Sequence, residues 1–152
     1  MTSPDTRVEH TADRVRSVSV LADHPGAPSA ARRAVRRALV EWGLAWLADD
    51  VELCVSELVG NVVLHAKGVP GERVAVLGLR SSPDWLILEV SDQDPTPPTL
   101  PAAQLPLSDS GRGLFIVHSL ADATWWAPRD PGGKSVLCRF DLDRRPSLRS
   151  AP

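Results

Sequence analysis

Glu57, Asn61 and His65 recur every fourth residue inside an otherwise apolar run, so on a helix they form one slowly turning stripe. Leu53 and Leu64 fall within about 40° of Glu57 on a helical wheel, and Val51, Leu58 and Val62 occupy the neighbouring core-facing side. The stripe is either the narrow polar edge of an amphipathic helix or a carboxylate and an amide held at the mouth of a pocket. A second carboxylate, Asp92, extends the row Leu86, Leu88, Val90 that period 2 assigns to one face of a strand. Unpaired in apolar surroundings it would be costly, so it either accepts hydrogen bonds in the turn that follows or meets the donor group of a ligand. A third element, Asp109-Ser110-Gly111-Arg112-Gly113-Leu114, opens a helix with two glycines. Glycine permits close backbone approach, and free N–H groups at a helix start attract phosphate, although the same pattern also serves as an ordinary turn.

Other chemistries lack their residues. There is no HExxH, no GxSxG, no P-loop Lys-Ser/Thr and no Cys and His close together in the chain, while His10, His24 and His118 are isolated. Cys54 and Cys138 match no zinc spacing and read as free thiols of a reducing cytosol. With 152 residues, 43% hydrophobic and 24% charged, the chain fits one domain with a core of moderate size. A net charge of −2 offers no basic excess for direct nucleic-acid binding. Its 15 Arg against 2 Lys are spread along the chain and read as codon bias rather than as a phosphate site. No apolar run is long enough for a signal peptide or a membrane span, so the expected location is the cytoplasm.

The elements that must position these residues follow from periodicity. Residues 1–15 read as a flexible tail, and a strand follows at Arg16 to Leu21 before the breakers Pro25, Gly26 and Pro28. A helix from Ser29 to Trp42, capped by Ser29 and ended by Gly43, carries Arg32, Arg33, Arg36 and Arg37 on its solvent side. A second helix begins at Asp49 or Asp50 and runs to Ala66, with those carboxylates as its cap. Strands at Arg73 to Arg80 and Asp84 to Ser91 form a hairpin. The proline-rich loop Gln93 to Ser110 excludes regular structure, and a loop of that length in a compact domain needs a functional reason. A helix at Gly113 to Leu120 and strands at Asp122 to Ala127 and Ser135 to Leu142 complete a domain spanning 16–142, with a second tail at 143–152. The order predicts an α+β fold, a two-layer sandwich with a mostly antiparallel, mixed sheet and helices on one face.

Taken in order, these pieces resemble the ATP-binding domain shared by gyrase-type ATPases, the Hsp90 chaperone, sensor histidine kinases and mismatch-repair ATPases. The short chain, with an Arg-rich helix before Ser56-Glu57-Leu58-Val59-Gly60-Asn61, looks most like the anti-sigma-factor serine kinases and their stand-alone bacterial relatives. The resemblance implies ATP and Mg²⁺ as ligands. Glu57 would be the general base, Asn61 would give its side-chain oxygen to Mg²⁺, His65 would belong to the same site, and Asp92 would accept from the adenine amine. Residues 93–110 would be the ATP lid. Gly111, Arg112, Gly113 and Leu114 would meet the phosphates, and Ser135 would stand at a late nucleotide contact. It also implies a protein partner, a sigma factor or an anti-sigma antagonist, and a homodimer.

The chain departs from the family pattern at three places. Asp94 stands where relatives often have glycine, Leu64 where many carry a basic residue, and Lys134-Ser135 where Gly-Thr is common. Three functions are therefore expected in turn: a Mg-ATP-dependent serine/threonine kinase for a protein partner, a nucleotide-gated binding module with weak or no catalysis, and a nucleotide-free interaction domain that uses Trp85, Ile87, Trp125 or Trp126.

Overall fold

Alternation of Val18 and Val20 with Ser17 and Ser19 yields strand β1, Arg14–Leu21, two residues longer at its start than the spacing predicts. The structure, a computed structural model, describes residues 13–65, 73–98, 109–130 and 132–143. Helix α1 spans Ala27–Glu41. It starts before Ser29, because Pro28 in the first turn already has the helical φ and needs no cap for a missing N–H. Ser29 accepts instead from Arg33 at 2.8 Å. The helix ends before Gly43, whose φ of 74° lies in the left-handed region that favours glycine.

A short 3₁₀ turn, Ala45–Leu47, runs directly into α2, Ala48–His65. Asp49 and Asp50 thus lie in its first turn, where they complement the dipole, rather than at its cap. The expected end at Ala66 falls outside the described residues. Strands β2, Val74–Ser81, and β3, Trp85–Asp92, make the expected hairpin, each shifted one residue on. Helix α3, Asp109–Leu120, begins four residues earlier than predicted, and β4, Ala123–Pro128, and β5, Lys134–Asp141, form the last hairpin.

The sheet order is β1-β2-β3-β5-β4, and all four pairings are antiparallel. β5 therefore inserts between β3 and β4, with α3 crossing between. Leu77 and Leu79 of β2, Leu86, Leu88 and Val90 of β3, and Val136, Cys138 and Phe140 of β5 line one face and join the buried residues of the helices in a single core. α1 packs against β1, α2 against β3 and α3 against β4, with α2 between the other two helices. Among the described residues no helix is long and apolar enough to cross a membrane.

The direction of each helix decides which ends meet. Arg14 of β1 donates to the Trp42 carbonyl at 2.6 Å, so α1 finishes at the end of the sheet where β1 starts. α2 runs back antiparallel, held by Arg36 to Asp49 and Glu52 and by Arg32 to the Ser56 hydroxyl at 2.8 Å. Its last turn consequently lies at the end where Leu21 pairs with Val74 and Asp92 with Lys134. α3 leads within three residues into β4 at Ala123, which pairs with Arg139 far from that end, so the N-terminus of α3 points back toward Asp92.

Candidate functional site

Glu52 and Ser56 face α1, as their bonds to Arg36 and Arg32 show. At about 100° per residue, Glu57 and Asn61 lie roughly 100° and 140° around the helix from Ser56, on the flank away from α1 and toward α3. Both residues are half-buried, between Cys54 and Leu58 on their core side, which are buried, and Leu53 and Leu64 on their outer side, which are exposed. The stripe is therefore the edge of the core along the seam between α2 and α3. Asn61 and His65 occupy the Asp92 end of that seam, with His65 exposed in the last turn and Glu57 one turn deeper than Asn61.

Asp92 ends the helix-facing row of β3, with its side chain 9% exposed. Its Oδ1 accepts from the Asp94 N–H at 2.7 Å, which is the turn contact expected of a carboxylate at a strand end. The same oxygen accepts from Lys134 Nζ at 3.2 Å, and Lys134 also donates to the Asp94 carbonyl at 3.0 Å. Lys134 is 12% exposed, so the pair is largely withdrawn from water. Gly133 makes this pairing possible. Its φ is 99°, and a Cβ there would stand 2.1 Å from the Asp92 carbonyl oxygen. The turn before it closes through the Arg129 N–H to the Gly133 carbonyl at 3.1 Å.

Ser135 lies on the opposite face of the sheet from Asp92. It is buried, and its hydroxyl shares a hydrogen bond with Ser91 at 2.8 Å. Period 2 gives the place beside Asp92 to Lys134, a partner that a one-residue difference in register hides from sequence reasoning. Gly111, Arg112, Gly113 and Leu114 lie within the first half of α3, inside the helix rather than before it, so residues 109 and 110 of the expected loop are helical. Asp109 and Ser110 are residue types that favour a helix start, and they draw the helix upstream of the glycines. Of the lid expected at 93–110, residues 99–108 lie outside the described residues. In its described start the Thr96 N–H donates to Asp94 Oδ1 at 3.0 Å, a second turn of the same kind.

The donor set suits magnesium. Among the described residues no three His, Cys, Asp or Glu side chains cluster, so there is no all-protein cage. Mg²⁺ is commonly held by one or two side-chain oxygens together with phosphates and waters, and the Asn61 carbonyl oxygen is a hard donor of that sort. The outer sheet face presents less than the interaction reading expects. Ile87 is 1% exposed, Trp126 packs against the core, and Trp85 and Trp125 are half-buried.

Comparison with known proteins bears on the fold and the family. The crystal structure of the RsbU and RsbW domains of Rv1364c from Mycobacterium tuberculosis shares the fold, with a TM-score of 0.56 at 18% identity, over 82% of this chain and 32% of that one. The chain thus spans 32% of that structure's chain. No significant match is found among curated proteins. Residues 8–140 match the histidine kinase-like ATPase domain, and the chain belongs to that family.

Proposed function

We propose that the chain binds ATP with Mg²⁺ at the Asp92 end of the α2 and α3 seam and transfers the γ-phosphoryl group to a serine or threonine of a protein partner. The observation that carries this reading is the shared flank of Glu57 and Asn61, half-buried on α2 at the edge of the core and facing α3. A base and a metal-binding oxygen one helical turn apart are the two groups that phosphoryl transfer to a hydroxyl requires beyond positioning.

In this reading Asp92 accepts from the exocyclic amine of adenine, a group that guanine replaces by a carbonyl. Asn61 would hold Mg²⁺ through its side-chain oxygen, and the ion would supply charge neutralisation at the phosphates. The partner's hydroxyl oxygen bonds to the γ-phosphorus as the bond to the bridging oxygen of ADP breaks, and its proton passes to the Glu57 carboxylate. The family resemblance supplies the partner class, a sigma factor or an anti-sigma antagonist, and the RsbW domain of the structural neighbour supports it.

Calorimetry with Mg-ATP, paired with transfer from γ-labelled ATP to a purified anti-sigma antagonist, tests the assignment. Glu57→Ala is expected to keep its ATP affinity and to lose transfer by about 10²-fold or more. Equal transfer by variant and parent removes Glu57 from the chemistry. One observation favours the nucleotide-gated module instead: Leu64, where relatives often carry a base, is 66% exposed on α2. That reading expects partner affinity to change with ATP while no phosphorylated product forms.

A further inference from the structure

Lys134 is the one cation that the structure places against the Asp92 carboxylate, among the described residues, and its chemistry is not exhausted by that ion pair. An ammonium has three N–H bonds. Two of them are used, toward Asp92 Oδ1 and the Asp94 carbonyl. The hydrogen bonds that Asp92 accepts from described residues both fall on Oδ1, which leaves Oδ2 as an acceptor toward the helix side of the sheet. The wall at this end of β3 and β5 therefore offers an acceptor beside a donor. Both are held in place, because the Gly133 turn seats β5 against the Asp92 backbone and Lys134 is fastened at two points.

The edge of adenine carries the complementary order, an N6 amine that donates beside an N1 nitrogen that accepts. Guanine carries the reverse, an O6 acceptor beside an N1–H donor. With the base held in one orientation by its phosphates, guanine would set an acceptor against Asp92 and a donor against Lys134. That is two mismatches rather than one, and leaving site groups unpaired is what gives such a pocket its selectivity.

Resting on the nucleotide site proposed above, we infer that Lys134 is a specificity-determining residue that donates its remaining N–H to N1 of adenine while holding Asp92 for the N6 amine. Base recognition is then a two-point reading, by a strand end and the strand paired with it. Lys134 acts both on the base and, through Asp92 and Asp94, on the start of the loop that follows.

The test is calorimetric titration of the full chain with ATP, GTP and 1-deaza-ATP, in which a C–H replaces N1, for the parent, Lys134→Met, Lys134→Arg and Asp92→Ala. The parent is expected to bind ATP about tenfold more tightly than 1-deaza-ATP, the worth of one charge-assisted hydrogen bond. Lys134→Met is expected to bind ATP and 1-deaza-ATP alike and to discriminate less against GTP, whereas Lys134→Arg, still a cationic donor, retains a preference for ATP over 1-deaza-ATP. A purely structural lysine would weaken both nucleotides together and leave their ratio unchanged, and that result overturns the inference. So does a parent that binds ATP and 1-deaza-ATP equally, a comparison that needs no variant to fold. If that parent still loses ATP on Asp92→Ala, the nucleotide site stands and only the role of Lys134 falls. A folded parent that binds no nucleotide overturns both.

Discussion

Burial decides the behaviour of single residues here as strongly as charge does. Cys54 on α2 and Cys138 on β5 are both buried, and removal from water pushes the Cys54 thiol well above its ordinary value and the Cys138 thiol up to about 12. Neither is poised as a nucleophile, which agrees with their absence from the proposed chemistry. The sign of the linkage is definite. An unfolded thiol ionises near the ordinary value of 9.0 while the folded one stays neutral, so the stability that the thiols contribute is full below that pH and is lost as pH rises toward 12. Urea unfolding between pH 9 and 11 should show the parent losing stability faster than a Cys54→Ala, Cys138→Ala double variant, by up to ~1.4 kcal/mol per pH unit for each thiol. Parallel curves would mean that the thiols ionise alike in both states. At this scale the sequence was legible for Glu57, Asn61 and Asp92, whose types and local periods announce them. It marked Lys134 as a departure from the family pattern but did not pair it with Asp92, which is 42 residues away in the chain and joined to it only by strand pairing.

The turn between β4 and β5 shows how one element sets the register of a site. Gly133 takes a φ of 99°, and a Cβ there would meet the Asp92 carbonyl oxygen at 2.1 Å, so neither the conformation nor the space admits another residue. Gly133→Ala should cost about 2 kcal/mol or more through backbone strain and the forced separation of β5 from Asp92. The nucleotide affinity should fall further than a core variant of equal stability loss, because Lys134 moves with the strand. Thermal unfolding and ATP titration, compared between the two, decide it. Periodicity, with the Pro, Gly and cap signals, placed the three α-helices and five strands of the described residues to within a few residues. Its errors gathered at helix starts: Pro28 begins α1 ahead of the expected Ser29 cap, and Asp109 and Ser110 begin α3 ahead of the glycines. In each case two local signals compete over two to four residues, and a pattern of period 3.6 does not resolve that distance.

For the molecule as a whole, β3 is the middle strand of the sheet and carries the centre of the core, with Leu88 0% exposed between α2 and the strands on either side. Leu88→Ala should lower stability by about 2 to 5 kcal/mol, read by urea denaturation with an unchanged slope, a large share of the ~5 to 15 kcal/mol that holds an ordinary domain together. A loss below 1 kcal/mol would show that the neighbouring layers collapse into the space. The sequence by itself determined the element types, their order, the helix-facing row that Asp92 ends and the stripe of Glu57, Asn61 and His65, because each is written in a local period of 2 or 3.6 residues. Only the tertiary structure decided that β5 enters between β3 and β4, that Lys134 rather than Ser135 stands beside Asp92, and that the end of α2 and the start of α3 are directed to the end of the sheet where β3 finishes. Those outcomes depend on which strands pair and in what register. A shift of one residue exchanges the two faces without altering any local pattern, so long-range packing has to make the choice.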